Sequence, residues 1–571
     1  MFAGVAKSAD ARDLKSLGSN TVPVQVRSPA PLTGSRFCGF LFLLNYNIKY
    51  NCYIDFTIPF LYNVLETRRR DGIGRRAGLK IRSWRQGAGS TPAAGTKKEP
   101  ENLLSGSFLA RFYRWEERNM SENPLGHEKI SKLLMSFALP SITATLVSSL
   151  YNIVDQVFIG QGVGYLGNAA TNVSYPFSTI CLAISLLIGI GSASRFSLCL
   201  GKKEYKKASS IVGNGIILMT VSGLVFVIVC ELLLTQLLKI FGATADVMPY
   251  AQQYAGITLI GMPFLIITNG MSNLIRADGS PKYSMACMVT GAIINTILDP
   301  IFIFVFDLGV FGAALATVIG QVVSFIMAIV YVRRFKTVKI DKESFRFKFK
   351  DNLKTFYMGT SSCINQVAIT IVQIVLNNSL VHYGASSVYG QEIPLAACGI
   401  VMKTNAILLS IIVGISQGVQ PIIGYNYGAE KYDRVKKAFV LAIKWNFVVS
   451  AIGFCAFQFF PKQIISIFGN GDELYFEFAV MFMRIFLFMV IVNGVQLLSS
   501  NFFTAIGKAM KGLILSLTRQ VIFLIPLLLI LPIWFGIKGV LYAGPVADFI
   551  AFVVSAVLVI QEFKKMKEIN N

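Results

Sequence analysis

Five side chains tipped with oxygen fall inside apolar runs of this sequence. Asp155 lies in "SSLYNIVDQVFIG" and Asp299 in "NTILDPIFIFVF". A charge at mid-bilayer depth costs at least ~2.5–3.5 kcal/mol on insertion scales, so each acid needs a task or a partner. Asn295 precedes Asp299 by one helical turn on the same face, and Tyr151 stands in the same relation to Asp155. Thr317 lies six residues into the run that follows Asp299. The run holding Asp155 ends near Gly160 and that holding Asp299 near Phe306, both running outward. At ~1.5 Å per residue, both carboxylates and Thr317 fall in one layer roughly 8–10 Å below the outer surface. Two nearby carboxylates in a low dielectric cannot both stay ionised cheaply; they share a proton, or a cation joins them. Oxygen ligands suit H+ or Na+, not a transition metal. Coupling to an ion gradient needs such a site. The plainer alternative has each acid satisfied by a neighbour, Asp299 by Asn295 for instance.

The elements that position these groups follow from composition. The chain has 571 residues, 54% hydrophobic and 15% charged, with mean hydropathy +0.59. Soluble domains are nearer a quarter charged. Apolar runs of 18 or more residues recur, each long enough to cross a bilayer as a helix. The alternation of a membrane β-barrel is absent. The fold class is therefore an all-α integral membrane protein, embedded in a lipid bilayer. The net charge of +23 lies in loops and in the leader, which fits membrane topology and not nucleic acid. The nine cysteines include no CxxC, so disulfides and zinc are not expected. Cys181, Cys230, Cys287 and Cys455 act as small hydrophobes in apolar runs.

Twelve spans are expected, six at 131–160, 168–199, 208–238, 250–275, 283–306 and 311–332, and six at 355–382, 392–424, 436–460, 475–503, 512–533 and 538–561. One set of loops, with the tail, carries 24 Lys and Arg; the opposite set carries Lys239, Lys462 and Lys538. The positive-inside rule makes the rich side, and both termini, cytoplasmic. The halves echo each other at a spacing of about 227 residues: Gly201 and Tyr205 match Gly428 and Tyr432, and Phe241-Gly242 matches Phe468-Gly469. Each half has an even number of spans, so the repeats are parallel. In transporters of this kind the substrate path lies between the halves. Residues 120–332 form the first lobe, 333–354 a cytoplasmic linker, and 355–571 the second lobe with its tail.

Residues 1–119 do not match the rest. "TRRRDGIGRRAGLKIRSWRQGAGSTPAAGTKKEP" is basic, Gly/Pro-rich and aperiodic. Disorder is expected there. A sharper reading places the natural start at Met120, with the preceding residues as translated upstream sequence; the alternative is a genuine cytoplasmic extension.

Other membrane-embedded polar residues are Lys403, Arg484 and Asp548 in the second lobe, Glu231 near an interface, Glu477 near an outer end and His382 at the end of the seventh span. Arg484 is expected to pair with Asp548. Pro140 lies fifteen residues before Asp155 in the first span. A proline removes a backbone bond and permits a kink. Bending of that helix on protonation of Asp155 is a candidate conformational switch; a static kink is the alternative.

"SLYNIVDQVFIG", "LDPIFI", "FGAALATVIGQ" and above all "GVQPIIGYNYGAEKYDRVKKA" (418–438) resemble the MATE family of multidrug and toxic compound extrusion antiporters. The likeness covers about 121–565 and is similar to the bacterial MepA-like and DinF-type branch. The resemblance implies two pseudo-symmetric six-helix bundles in a V around a central cavity. It also implies a bacterial plasma-membrane protein, not an enzyme and without cofactor, acting as a monomer. Such a protein would export small cationic or amphipathic drugs in exchange for H+ or Na+. A first-lobe ion site of the family maps onto Asp155, Asn295, Asp299 and Thr317, where Na+ is the one metal implied; Asp155 and Asp299 would also meet substrate, and Pro140 matches the family's bending proline. The seventh span has no Glu and the tenth no Asp, so a second-lobe cation site of the NorM type is not implied.

A lipid-linked oligosaccharide flippase of the same superfamily is the runner-up, and it would need a basic cavity. No GxxxxGK[ST] occurs, which excludes a P-loop ATPase. The loop "LGKKEYKKAS" lacks the acidic, Arg-rich character of the major facilitator fold. A non-transporting membrane protein would not need two acids at matched depth.

Overall fold

The computed structural model describes residues 123–468 and 472–570. The expectations for residues 1–119 and a start at Met120 lie outside these. Among the described residues, eleven helices are long and apolar enough to cross a membrane, and two shorter ones meeting at 49° supply a twelfth span.

The first half holds α1 (Ile130–Gly162), α2 (Tyr165–Gly201), α3 (Tyr205–Leu232), the short α4 (Leu234–Ile240), α5 (Met248–Ala277), α6 (Pro281–Pro300), a π-turn Ile301–Val305, and α7 (Gly309–Val332). The second holds α8 (Phe349–Ala385), α9 (Glu392–Gly428), α10 (Tyr432–Phe459), the short α11 (Pro461–Phe468), α12 (Glu473–Phe486), α13 (Val490–Ala505) and α14 (Ala509–Leu517). A π-turn Thr518–Leu524 then leads into α15 (Ile525–Phe535), followed by α16 (Ile537–Asn570). The short helices α4 and α11 start 227 residues apart and give the repeat a structural counterpart. The tenth span, expected as one run, is two helices broken at Leu487–Met489. Gly544 of α16 packs on the Phe486 carbonyl at that break.

The outside of the bundle explains the hydropathy. On α3, Val221, Leu224, Val225, Ile228 and Leu232 form an exposed stripe at helical spacing. Water would penalise such a face and lipid tails accept it. The segment after α7 is strapped to the first half. Asp278 accepts from Tyr331 Oη at 2.7 Å and from the backbone N–H of Lys336 at 2.8 Å and Thr337 at 3.0 Å. Asn214 of α3 donates to the Arg346 carbonyl at 3.1 Å and accepts from Lys348 N at 3.0 Å.

The halves meet along one end of α1, α2, α8 and α9. Ser149 Oγ lies 2.6 Å from Ser410 Oγ, and Gln420 Nε2 donates to Ser194 Oγ at 2.9 Å. Further along, Arg195 reaches Thr355 Oγ1 at 2.8 Å, and Arg434 donates to the Glu128 carbonyl at 2.7 Å. This is the end that carries the Lys/Arg-rich loops. Backbones touch there: a Cβ on Gly359 would sit 1.7 Å from the Leu187 carbonyl oxygen, and one on Gly191 2.2 Å from that of Thr355.

Gly359→Ala therefore forces α2 and α8 apart. Overpacking of this kind costs ~1–3 kcal/mol, enough to shift the balance against a closed state by about five- to 150-fold. Efflux by the variant at equal expression should fall about five-fold or more; wild-type efflux would show that this contact is not an obligatory state.

Helix α1 belongs to both halves. Its start, with Leu133, Leu134 and Phe137, packs with Ile415, Val419 and Phe439 of the second half. Its far end packs Ile159 against Ile303 and Ala313 of the first. Pro140 lies within the part of α1 that packs on the second half: Ser149, nine residues further on, still bonds Ser410 of that half.

Candidate ion-coupling site

Close packing of α6 on α7 sets up the site. Gly320 faces the Gly291 carbonyl, with Asn295 Cβ next to it. A larger residue at either glycine would separate the helices that carry Asn295 and Thr317. Asn295 Nδ2 donates to Asp299 Oδ1 at 3.0 Å and to Thr317 Oγ1 at 3.2 Å. Asp299 is fully buried (0% exposed) and Asn295 nearly so.

Pro300 shapes the next turn. It has no N–H for the Thr296 carbonyl, and the chain widens into the π-turn Ile301–Val305. Phe306 N donates to Ile301 O at 3.0 Å, and Leu308 N to Phe302 O at 3.0 Å. The wide turn pushes Ile303 and Phe304 against α1 beside Gly162, where a Cβ would lie 2.1 Å from Ile303 Cγ2. Ile159, Ile303 and Ala313 form a small apolar cluster there, with Phe158 and Tyr254 packed on it. The expected local break after Asp299 is thus a change of helix type, and it builds an apolar cover beside the acids.

Asp155 comes from α1. Its carboxyl lies within hydrogen-bonding reach of that of Asp299. Yet Asp155 Oδ1, Asp299 Oδ2 and Asn295 Oδ1 are shut off from solvent and receive no hydrogen from a donor. Acceptors facing acceptors in a low dielectric are costly. A shared proton, or a small cation held by oxygens, removes the conflict. Tyr151 lies one turn below Asp155, its phenol within electrostatic range of both acids. The four oxygen-bearing groups on α1, α6 and α7, with Tyr151, are therefore brought together as the depth argument requires.

One neighbour was not predicted. Tyr254 of α5 is within electrostatic range of Asp155, Tyr151 and Asp299. It lies six residues into α5 from the end at Met248, the same depth count that selects Thr317.

Among the described residues, the second half has no such cluster. Across the 227-residue offset, Asn295, Asp299 and Thr317 fall on Ile522, Pro526 and Gly544. The expected pair Arg484–Asp548 does not form. Arg484 is exposed on α12, and its Nε donates to the Gln458 carbonyl at 3.1 Å. Asp548, 5% exposed on α16, takes its bond from Arg519 Nε at 2.5 Å. Arg519 sits in the π-turn Thr518–Leu524, packed directly on α16, whereas Arg484 turns to the end of α10. Glu477 accepts from Tyr389 Oη at 2.9 Å, and the His382 ring stacks edge-on against Tyr383.

A family model described as MatE matches residues 140–301 and 361–530, one stretch in each half. The chain belongs to the MatE family. It is a multi-pass membrane transporter by family, and members of the family are not enzymes. The multidrug export protein MepA of Staphylococcus aureus (strain MRSA252) is 29% identical over 430 residues, covering 73% of this chain and 91% of that protein. MepA of Staphylococcus saprophyticus is 26% identical over 435 residues, covering 75% and 93%. An outward-facing multidrug resistance MATE family transporter of the MOP superfamily superposes with a TM-score of 0.74 at 21% identity, over 79% of this chain and 100% of its own. A MOP superfamily transporter from Pyrococcus furiosus, whose binding pocket is said to have reverse polarity, superposes with a TM-score of 0.73 at 22% identity over 78% and 98%. At these identities the structures establish the MATE fold of two six-helix halves.

Proposed function

We propose that this MATE protein is a multidrug efflux antiporter of the bacterial plasma membrane. It exports small cationic or amphipathic compounds in exchange for H+ or Na+, and works as a monomer with both termini in the cytoplasm. The observation that carries the reading is the pair Asp155–Asp299, each with a buried oxygen that receives no hydrogen from a donor. The likeness to MepA, over 91% of that protein's length, supports the drug part, and the asymmetry of Lys and Arg between the loop sets supports the orientation.

The halves are joined at the Lys/Arg-rich end, so this state is closed toward the cytoplasm. Ion entry to Asp155 and Asp299 removes the negative charge that attracts a cationic drug, and the drug leaves outward. Helix α1 carries the signal: Asp155 sits in the first half and Leu133–Phe137 in the core of the second. Pro140 is the hinge of that coupling. Antiport requires that drug and ion bind the two states with different affinity.

Ethidium efflux from proteoliposomes tests the reading, run separately with an imposed pH gradient and an imposed Na+ gradient. One of the two gradients should drive efflux and name the ion. Efflux unaffected by either gradient would sink the antiport reading.

A further inference from the structure

Lys403 is the one charged side chain in the interior of α9, and it makes no hydrogen bond or ion pair with a protein group described above. Its helix is central, packed by α10, α12 and α13 of its own half and by α1 and α2 of the other. The face it occupies is fixed by register. Ser410 and Gly414 lie seven and eleven residues on from Lys403, within about 20° of it on the helix. Both touch α1: Ser410 bonds Ser149, and a Cβ on Gly414 would lie 2.5 Å from Ile142 Cα. Gly399, Lys403 and Ala406 continue that stripe past the last contact and are exposed. Lys403 therefore faces the first half across the space between the halves, not the lipid.

Its height matches that of the acids. α1 and α9 run antiparallel, with Ala138 against Gly418 and Ile142 against Gly414. From the Ser149–Ser410 contact, Asp155 lies six residues along α1 and Lys403 seven residues back along α9, about 9–10 Å in the same direction. The other charges of the four facing helices are engaged or lie near helix ends. Arg195 is held by Thr355 and Asp351 at the closed end, and Asp155 turns inward to Asp299.

Building on the efflux reading above, we propose that Lys403 is a specificity-determining residue that binds the carboxylate of amphiphiles carrying both a cationic and an anionic group. The acids of the first half attract the cationic end; the Lys403 ammonium, with three donors, takes the carboxylate by charge-assisted hydrogen bonds. With substrates that are only cationic, the same lysine is repulsive, so it discriminates as well as binds.

Rhodamine B and its ethyl ester test this, since they differ only in the free carboxylate. Binding to the purified full chain by fluorescence anisotropy, and gradient-driven transport in proteoliposomes, are measured for wild type, Lys403→Gln and Lys403→Arg. A lost charge-assisted bond predicts that Lys403→Gln weakens rhodamine B about ten-fold or more, leaves the ester equal or improved, and is rescued by Lys403→Arg. Equal loss of both dyes, or no loss of rhodamine B, overturns the proposal. Wild type that moves the ester but neither binds nor moves rhodamine B overturns it too while leaving the efflux reading intact. Wild type that moves neither dye counts against the efflux reading itself and takes this proposal with it.

Discussion

Asp299→Asn should abolish gradient-driven ethidium efflux while leaving the protein folded. The substitution is nearly isosteric, and the new amide oxygen can still accept from Asn295 Nδ2, which donates to Asp299 Oδ1 at 3.0 Å in the wild type. It removes one of two acids that face each other in a buried site, so the conflict between them disappears. Thermal stability in detergent should stay level or rise. What is lost is the group whose charge changes when the ion arrives, and a ligand that cannot discriminate between two states shifts neither. Efflux should drop to that of protein-free vesicles, with ethidium binding weakened but measurable through Asp155. Asp155→Asn should behave alike. An Asp299→Asn protein that keeps gradient-driven efflux would contradict the mechanism.

Removing one partner of the second-half ion pair should be the largest single loss of stability. Arg519 and Asp548 are 16% and 5% exposed at the side chain, with 2.5 Å between Nε and Oδ1. Arg519→Met leaves a buried carboxylate with its charge partner gone, which typically costs about 3–5 kcal/mol. The double change Arg519→Met with Asp548→Leu removes both charges and should recover most of that loss, because a well-packed apolar pair is often as stable as a buried ion pair. Thermal unfolding of the two variants beside the wild type reads this directly. A single variant within about 1 kcal/mol of wild type would mean that water or lipid headgroups already solvate the pair.

The acids of the first half are legible in the sequence because a membrane makes charge expensive. Asp155 and Asp299 stand out against apolar runs, and the bilayer turns residue counts into depths. The same reasoning finds Asn295, Thr317 and Tyr151, since turn spacing fixes faces. It stops at the identity of partners across helices. Arg484 and Arg519 both lie in apolar runs of the second half, and depth does not reveal which helix faces Asp548; only the packing of α14 and α15 on α16 does. Tyr254 is the opposite case: its depth is legible from its place on the fourth span, but its tyrosine hydroxyl carries no charge that would single it out in an apolar run. The π-turn after Pro300 is half legible: proline announces a missing backbone bond, but not that the chain answers with a wider turn that packs Ile303 and Phe304 against α1. Lys403 is visible as a costly residue, yet its direction depends on which face of α9 meets α1.

The central claim is that drug and ion compete for the Asp155–Asp299 pair. The most direct test is ion release on drug binding, with no gradient and no transport. Ethidium is added to purified protein in weakly buffered detergent solution, and protons are followed with an indicator dye and Na+ with a sodium-sensitive one. Binding to the wild type should release about one ion per ethidium through linkage at the pair, and the Asp155→Asn, Asp299→Asn double variant should release none. Ethidium that binds the wild type without release, or release undiminished in the double variant, would contradict the account.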